Sequence, residues 1–238
     1  MLSCCFMVFG MLANMEIVQP ETPDLIRTSD LIAYVETINV DPVIKEDMLA
    51  PLPPGGYRTF PAQNAQVRIL RTLKGEVSAE SGEIVVLKKE NGFFVSEDKR
   101  RVLYLKQGEG FYEALGNLGG EHRLASVIWE LHRIKGEGYG VVIGLLGEPS
   151  GSMAVAFRGR HPVPLIPGSE RWIQAVVKKT PIDELGVAEI RLEPGNYTIL
   201  LRKGDNICHP SRLVNGFYPY LILDQESPWK IVYIQTRD

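Results

Sequence analysis

Leu192-Glu193-Pro194-Gly195-Asn196-Tyr197-Thr198-Ile199-Leu200-Leu201 is the stretch that decides the fold class. Proline presets φ at about −65° and glycine accepts positive φ, so Pro194-Gly195 sets a tight turn. The aromatic, β-branched and aliphatic run behind it has the composition of a buried strand. A turn that feeds a core strand, among short strands and loops, implies an all-β sandwich. It carries little information about chemistry.

Outward from that stretch, the second half of the chain reads as a series of strands. They fall at Gly140–Leu146, Met153–Arg158, Arg171–Lys178, Ala188–Leu192, Tyr197–Arg202, Pro219–Leu223 and Trp229–Gln235. Upstream, Leu31–Val40, Ala65–Leu73, Glu83–Lys88 and Arg101–Lys106 read the same way, each bounded by turn residues. Asp24 opens a short helical turn before the first of them. Between Asp41 and Phe60 the chain carries Pro42, Pro51, Pro53, Pro54, Gly55 and Gly56, so this segment is a long loop rather than a helix or a central strand. Leu124, Val127, Ile128, Leu131 and Ile134 fall at helical spacing, while Ala125, Val127, Trp129 and Leu131 alternate as a strand would. The helix is the preferred reading, with Gly136-Glu137-Gly138-Tyr139-Gly140 as a hinge behind it. The implied organisation is a segment 1–20, a β-barrel domain 24–118, a linker 119–138 containing the helix, and a β-sandwich domain 139–238.

Two resemblances give these halves a family setting. The order Gly-x-Val-x-Gly (Gly140–Gly144), Met153-Ala154-Val155-Ala156-Phe157, Pro194-Gly195-Asn196-Tyr197-Thr198 and Gly216-Phe217-Tyr218-Pro219-Tyr220 resembles the carboxypeptidase-regulatory-like, or prealbumin-like (transthyretin-like), β-sandwich. That resemblance implies a non-catalytic module that stiffens, spaces or binds on exported proteins. The run Val67-Arg68-Ile69-Leu70-Arg71-Thr72-Leu73-Lys74-Gly75, followed by the Val85-Val86-Leu87 strand, resembles the netrin-module, metalloproteinase-inhibitor type of OB-like barrel. It implies an antiparallel barrel over residues 24–118 and, by extension, inhibition of an extracellular peptidase. The amino-terminal cysteine and disulfide set of those inhibitors has no counterpart here. The expected fold class is therefore mainly β: an OB-like barrel, then a prealbumin-like sandwich.

Composition narrows the function classes. Of 238 residues, 45% are hydrophobic and 23% charged, enough apolar material for a proper core. Net charge is −3, and basic clusters such as Lys99-Arg100-Arg101 and Lys178-Lys179 are short. No electrostatic footprint for nucleic acid results. Three cysteines exclude an internal disulfide framework, since Cys4 and Cys5 are adjacent and Cys208 stands alone.

Leu2 to Ala13 contains no charged residue. That length suits the apolar core of a secretory signal and is too short to span a bilayer. No Lys or Arg precedes it, and Met11-Leu12-Ala13 is a poor small-x-small cleavage site. A buried amino-terminal element is the alternative. Leu2-Ser3-Cys4 also resembles the end of a bacterial lipobox, which makes Cys4 a candidate lipid attachment site and the amino terminus the only expected route to a membrane. The expected location is extracellular or in the cell envelope, periplasmic in a Gram-negative host.

Catalytic patterns do not assemble. In Gly136-Glu137-Gly138-Tyr139-Gly140 the third glycine comes one residue early for a phosphate-covering loop. Gly147-Glu148-Pro149-Ser150-Gly151 displaces the serine of a nucleophile elbow and reads as a β-turn. The histidines, His122, His132, His161 and His209, lack metal-ligand spacing. Glu97-Asp98 and Asp183-Glu184 are neighbours in turns, whereas general acid–base work needs carboxylates on opposite sides of a bond. Trp129, Trp172 and Trp229 read as core anchors. No cofactor is implied. The candidate ligand rim is a set of turn residues at one end of the sandwich: Arg160, His161, His209, Arg212 and Asn215. The expected protein is a non-enzymatic binding or structural module whose partner is a protein or glycan at the cell surface. Peptidase inhibition through the first domain is the alternative.

Overall fold

The computed structural model describes residues 22–41, 62–77, 82–88, 100–115, 123–161, 168–204, 206–208 and 220–235. They form a mainly β protein with a closed barrel and two further sheets.

The barrel contains β1 (Leu31–Asp41), β2 (Gln63–Lys74), β3 (Glu83–Lys88), β4 (Arg100–Gln107) and β5 (Tyr112–Leu115). Its strand order is β1-β2-β3-β5-β4, closed by β4 pairing with β1. All pairs are antiparallel except β3 with β5. Side chains alternate across a strand, so Leu31, Ala33 and Val35 point inward to meet Val67, Val86, Leu103 and Leu105. β2 shows this alternation at its start, with Gln63, Ala65 and Val67 buried and Asn64, Gln66 and Arg68 exposed. β1 and β4 instead bury consecutive residues, Leu31–Val35 and Arg101–Leu105. Their outward residues Ile32, Tyr34, Val102 and Tyr104 are covered by a helix, so these strands have two dry faces.

That helix is α2 (Arg123–Lys135), the element expected over Leu124–Ile134. Leu124, Val127, Ile128 and Leu131 make its apolar stripe. One cluster joins this stripe to Tyr34 and Tyr104 of the barrel and to Val142, Val187 and Trp229 of the following sheet. A shorter helix, α1 (Thr22–Thr28), lies where Asp24 was expected to open a turn. Its Ile26 enters the same cluster, and Lys74 Nζ donates to the Ile26 carbonyl at 2.7 Å and the Ser29 carbonyl at 2.6 Å. An ammonium among carbonyls at a helix carboxyl end is favoured by the backbone dipoles.

The second half is two packed sheets. One has β6 (Tyr139–Leu146) between β9 (Val187–Leu192) and β13 (Trp229–Gln235). β13 runs parallel to β6, and β9 runs antiparallel. The other contains β7 (Ser152–Arg158), β8 (Val176–Pro181), β10 (Gly195–Lys203), β11 (Asn206–Cys208) and β12 (Tyr220–Leu223). β10 pairs with β7 along one edge and with β11 and β12 along the other. Val141, Ile143 and Ile190 of the first sheet meet Ala154, Ala156, Tyr197, Ile199 and Leu201 of the second. The Pro194-Gly195 stretch thus leads into a central strand, as expected, with Tyr197–Leu201 all buried.

One expected element differs. Arg171–Lys178 does not form a single strand: Glu170–Ala175 is a helix, α3, and β8 starts only at Val176. Ser169 caps α3 by accepting from Trp172 N–H at 3.2 Å. Trp172 then drops edge-on onto Phe157, with ring centroids 4.6 Å apart. The capping oxygen and this anchor outweigh the β-branched composition of the run.

Candidate functional site

The strongest gathering of charged side chains lies where barrel, α2 and sandwich meet. It is built around Trp229, whose seat is prepared by glycine. In the parallel ladder Trp229 is opposite Gly140 and Tyr233 is opposite Gly144. A β-carbon at Gly140 would fall 2.5 Å from Trp229 Cζ3 and 2.6 Å from the Ile190 carbonyl oxygen. At Gly144 it would fall 2.6 Å from Tyr233 Cε1. The Gly-x-Val-x-Gly pattern therefore makes two slots for aromatic rings, with Val142 packed between them.

Trp229 is fully buried and fixed on three sides. Its Nε1–H donates to the Glu137 carbonyl at 3.0 Å, tying down the glycine-rich segment expected to act as a hinge. Its own carbonyl accepts from Trp129 Nε1–H at 2.9 Å. The His132 ring stacks on it, with centroids 3.7 Å apart and planes within 4°.

His132 links this aromatic seat to a chain of charges. Its Nε2–H donates to Glu189 Oε2 at 2.6 Å. Glu189 Oε1 accepts from Arg71 at 2.7 Å, and Arg71 also donates to Asp183 Oδ2 at 2.9 Å. Asp183 is held in turn, its Oδ1 accepting from the Leu185 and Val187 N–H groups at 3.0 and 2.8 Å. The hydrogen bond from His132 holds the Glu189 carboxyl below the ordinary carboxylate range. The charges of His132 and Arg71 add to that effect, and partial burial opposes it. Arg71 comes from the barrel, His132 from α2, and Glu189 from β9. One carboxylate thus binds all three layers.

A histidine oriented by a carboxylate also supplies two of the three members of a hydrolytic triad. Here its flat face is against Trp229, and both Glu189 oxygens are taken. Among the described residues no hydroxyl or thiol bonds to the ring. The geometry suits a joint between barrel and sandwich.

The sequence-derived rim is described only at Arg160 and His161. His161 is buried, with Nε2 at 2.7 Å from the Arg158 carbonyl, and it meets Phe157 edge-on. Arg160 places its guanidinium 5.4 Å from the centre of the Tyr220 ring, bringing the loop after β7 to β12. Cys4, His209, Arg212 and Asn215 lie outside the described residues. The proline-rich segment 41–60, expected as a loop, lies outside them too, apart from Asp41 at the end of β1. Among the described residues no group of three potential metal ligands gathers, and no helix is long and apolar enough to cross a membrane.

No family model matches the sequence, and no curated protein matches it either.

The joint escaped the sequence reading because its members are far apart. Arg71 and Glu189 are separated by 118 residues, and His132 and Glu189 by 57. One signal existed. Glu189 sits between core residues Ala188 and Ile190, so strand alternation puts it on the face opposite the inter-sheet core, with Val187 and Arg191.

Proposed function

We propose that this protein is a non-catalytic binding or structural module of the cell envelope or the extracellular space, built as an OB-like barrel fused to a prealbumin-like sandwich. The barrel order β1-β2-β3-β5-β4 with a parallel β3–β5 pair supports the OB-like reading. Two packed sheets, with Tyr197–Leu201 in a central strand, support the sandwich.

The observation that carries the functional reading is the joint. Its histidine, arginine and two carboxylates are paired with one another and bind barrel to sandwich. Such a joint holds the two halves at a fixed spacing and leaves their loops to meet a surface protein or glycan.

The test has two arms. Tagged full-length protein and Cys4→Ser are fractionated from host cells and their intact masses measured. Export predicts loss of the apolar start, or acyl mass that depends on Cys4. An uncleaved cytosolic protein would overturn it. The purified protein is also titrated into a panel of extracellular peptidases and offered ester, peptide and phosphate-ester substrates. A dose-dependent block of one peptidase would favour the inhibitor reading instead. Turnover abolished by His132→Ala would make the joint an active site.

A further inference from the structure

We propose that the groove between α1, the end of β2 and the last turn of α2 binds an anionic amphiphile, specifically an aliphatic carboxylate. The groove is open to solvent and has a volume of about 570 Å³, within the range of small-molecule sites. Its apolar wall is Leu73, Leu131 and Ile134, and its cations are Arg27, Lys74 and Lys135. Among the described residues lining it, none is acidic.

Each part has a distinct role. Ile134 is 37% exposed, a large apolar side chain at the end of a helix whose other aliphatic residues are buried. Covering it with a hydrocarbon tail removes apolar surface from water. Lys74 is engaged by the Ile26 and Ser29 carbonyls, so it supplies positive potential rather than a direct contact. Arg27 lies 3.3 Å from Asp24, but those side chains are 66% and 80% exposed, so water weakens the pair and the guanidinium is free to turn to a ligand. Lys135 also lines the groove and is exposed. A tail along Leu73, Leu131 and Ile134 places a carboxylate between Arg27 and Lys135. A cationic headgroup would meet three like charges there.

This inference rests on the reading of the protein as a binding module and names a ligand class for it. The test is isothermal titration of the full chain with octanoate, decanoate and dodecanoate below their micellar concentrations, with dodecyltrimethylammonium as the opposite-charge control. Saturable binding is expected, tightening between about twofold and fourfold per added methylene, because the groove is half open. Arg27→Glu combined with Lys135→Glu should weaken dodecanoate about tenfold, and Ile134→Asp should weaken it comparably. Arg27 and Lys135 end their helices and Ile134 is 37% exposed, so each variant should stay folded with a modestly lowered melting temperature, and binding is compared where all are folded. No saturable binding, equal affinity for the cationic amphiphile, or affinity independent of chain length would overturn the inference. Binding untouched by the groove variants would overturn it too, while leaving the binding-module reading in place.

Discussion

Gly140→Ala should be among the most damaging single-methyl additions in this protein. The new β-carbon would lie 2.5 Å from Trp229 Cζ3, 2.6 Å from Trp229 Cη2 and 2.6 Å from the Ile190 carbonyl oxygen. None of these neighbours can retreat cheaply. Ile190 is locked in the β6–β9 ladder opposite Val141. Trp229 is held by its hydrogen bond to Glu137, by Trp129 and by the stacked His132 ring. Overpacking a well-ordered core costs about 1–3 kcal/mol for one clash, and this site combines a side-chain clash with a backbone one. The expected loss is therefore about 3 kcal/mol, which in a chain of this length lowers the melting temperature by roughly 6–12 °C. Urea unfolding followed by circular dichroism would measure it, and the near-ultraviolet signal would report the Trp229–His132 stack. Gly144→Ala serves as the internal comparison. Its closest contacts are Tyr233 ring atoms and the Ala125 methyl, so side chains alone must move and the loss should be smaller. A loss below about 1 kcal/mol for Gly140→Ala would mean that Trp229 is not seated over the glycine, and the account of the joint would fail with it.

The other expectations concern polar contacts. Glu189→Gln should cost about 1–2 kcal/mol at pH 7, since two charge-assisted hydrogen bonds weaken at a site where Glu189 and Arg71 are each 31% exposed. The folded-state pKa of Glu189 is depressed, so its contribution is complete above the ordinary value of 4.5 and is lost as pH falls through the lowered one. Urea titrations of parent and Glu189→Gln should therefore converge below pH 4.5, and a gap that persists in acid would contradict this. Ser169→Ala removes the oxygen that caps Trp172 N–H and should cost about 1 kcal/mol; an unchanged urea midpoint would argue against the cap. Lys74→Met should leave the barrel intact but loosen α1, read as faster amide exchange across Thr22–Ser29, because the Ile26 and Ser29 carbonyls lose their donor. Unchanged exchange there would show that Ile26 packing alone holds the helix.

The strands were legible because composition and turn punctuation agree over most of their length. β1, β3, β4, β7, β9 and β10 all lie where β-branched and aliphatic runs end at glycine, proline or charge. β5 and β11 carry no such signal, being four and three residues long and held by pairing rather than by local preference. The sequence over α3 reads as strand because Trp172, Ile173, Val176 and Val177 satisfy either element, and only the Ser169 cap and the Trp172–Phe157 contact decide between them. α2 was legible as a helix, yet its burial by layers on both sides was not, since one sequence period cannot show what covers each face. In the sequence His132 shows only that it lacks metal-ligand spacing. Its role depends on Glu189 and Trp229, which reach it only through tertiary packing.

The parallel pairing of β13 with β6 has a consequence for the order of assembly. Trp129 and Trp229 are 100 residues apart, yet one hydrogen bond joins them. The ribosome releases α2 and β6 well before the strand that fills the Gly140 and Gly144 slots. Until that strand emerges, α2 can dock on the barrel, while the face awaiting Trp229 and Tyr233 stays wet and apolar. Late, non-local closure of this kind is slow and exposes a nascent chain to aggregation. A chaperone acting on this protein would find its natural target there, on the uncovered face of α2 and β6.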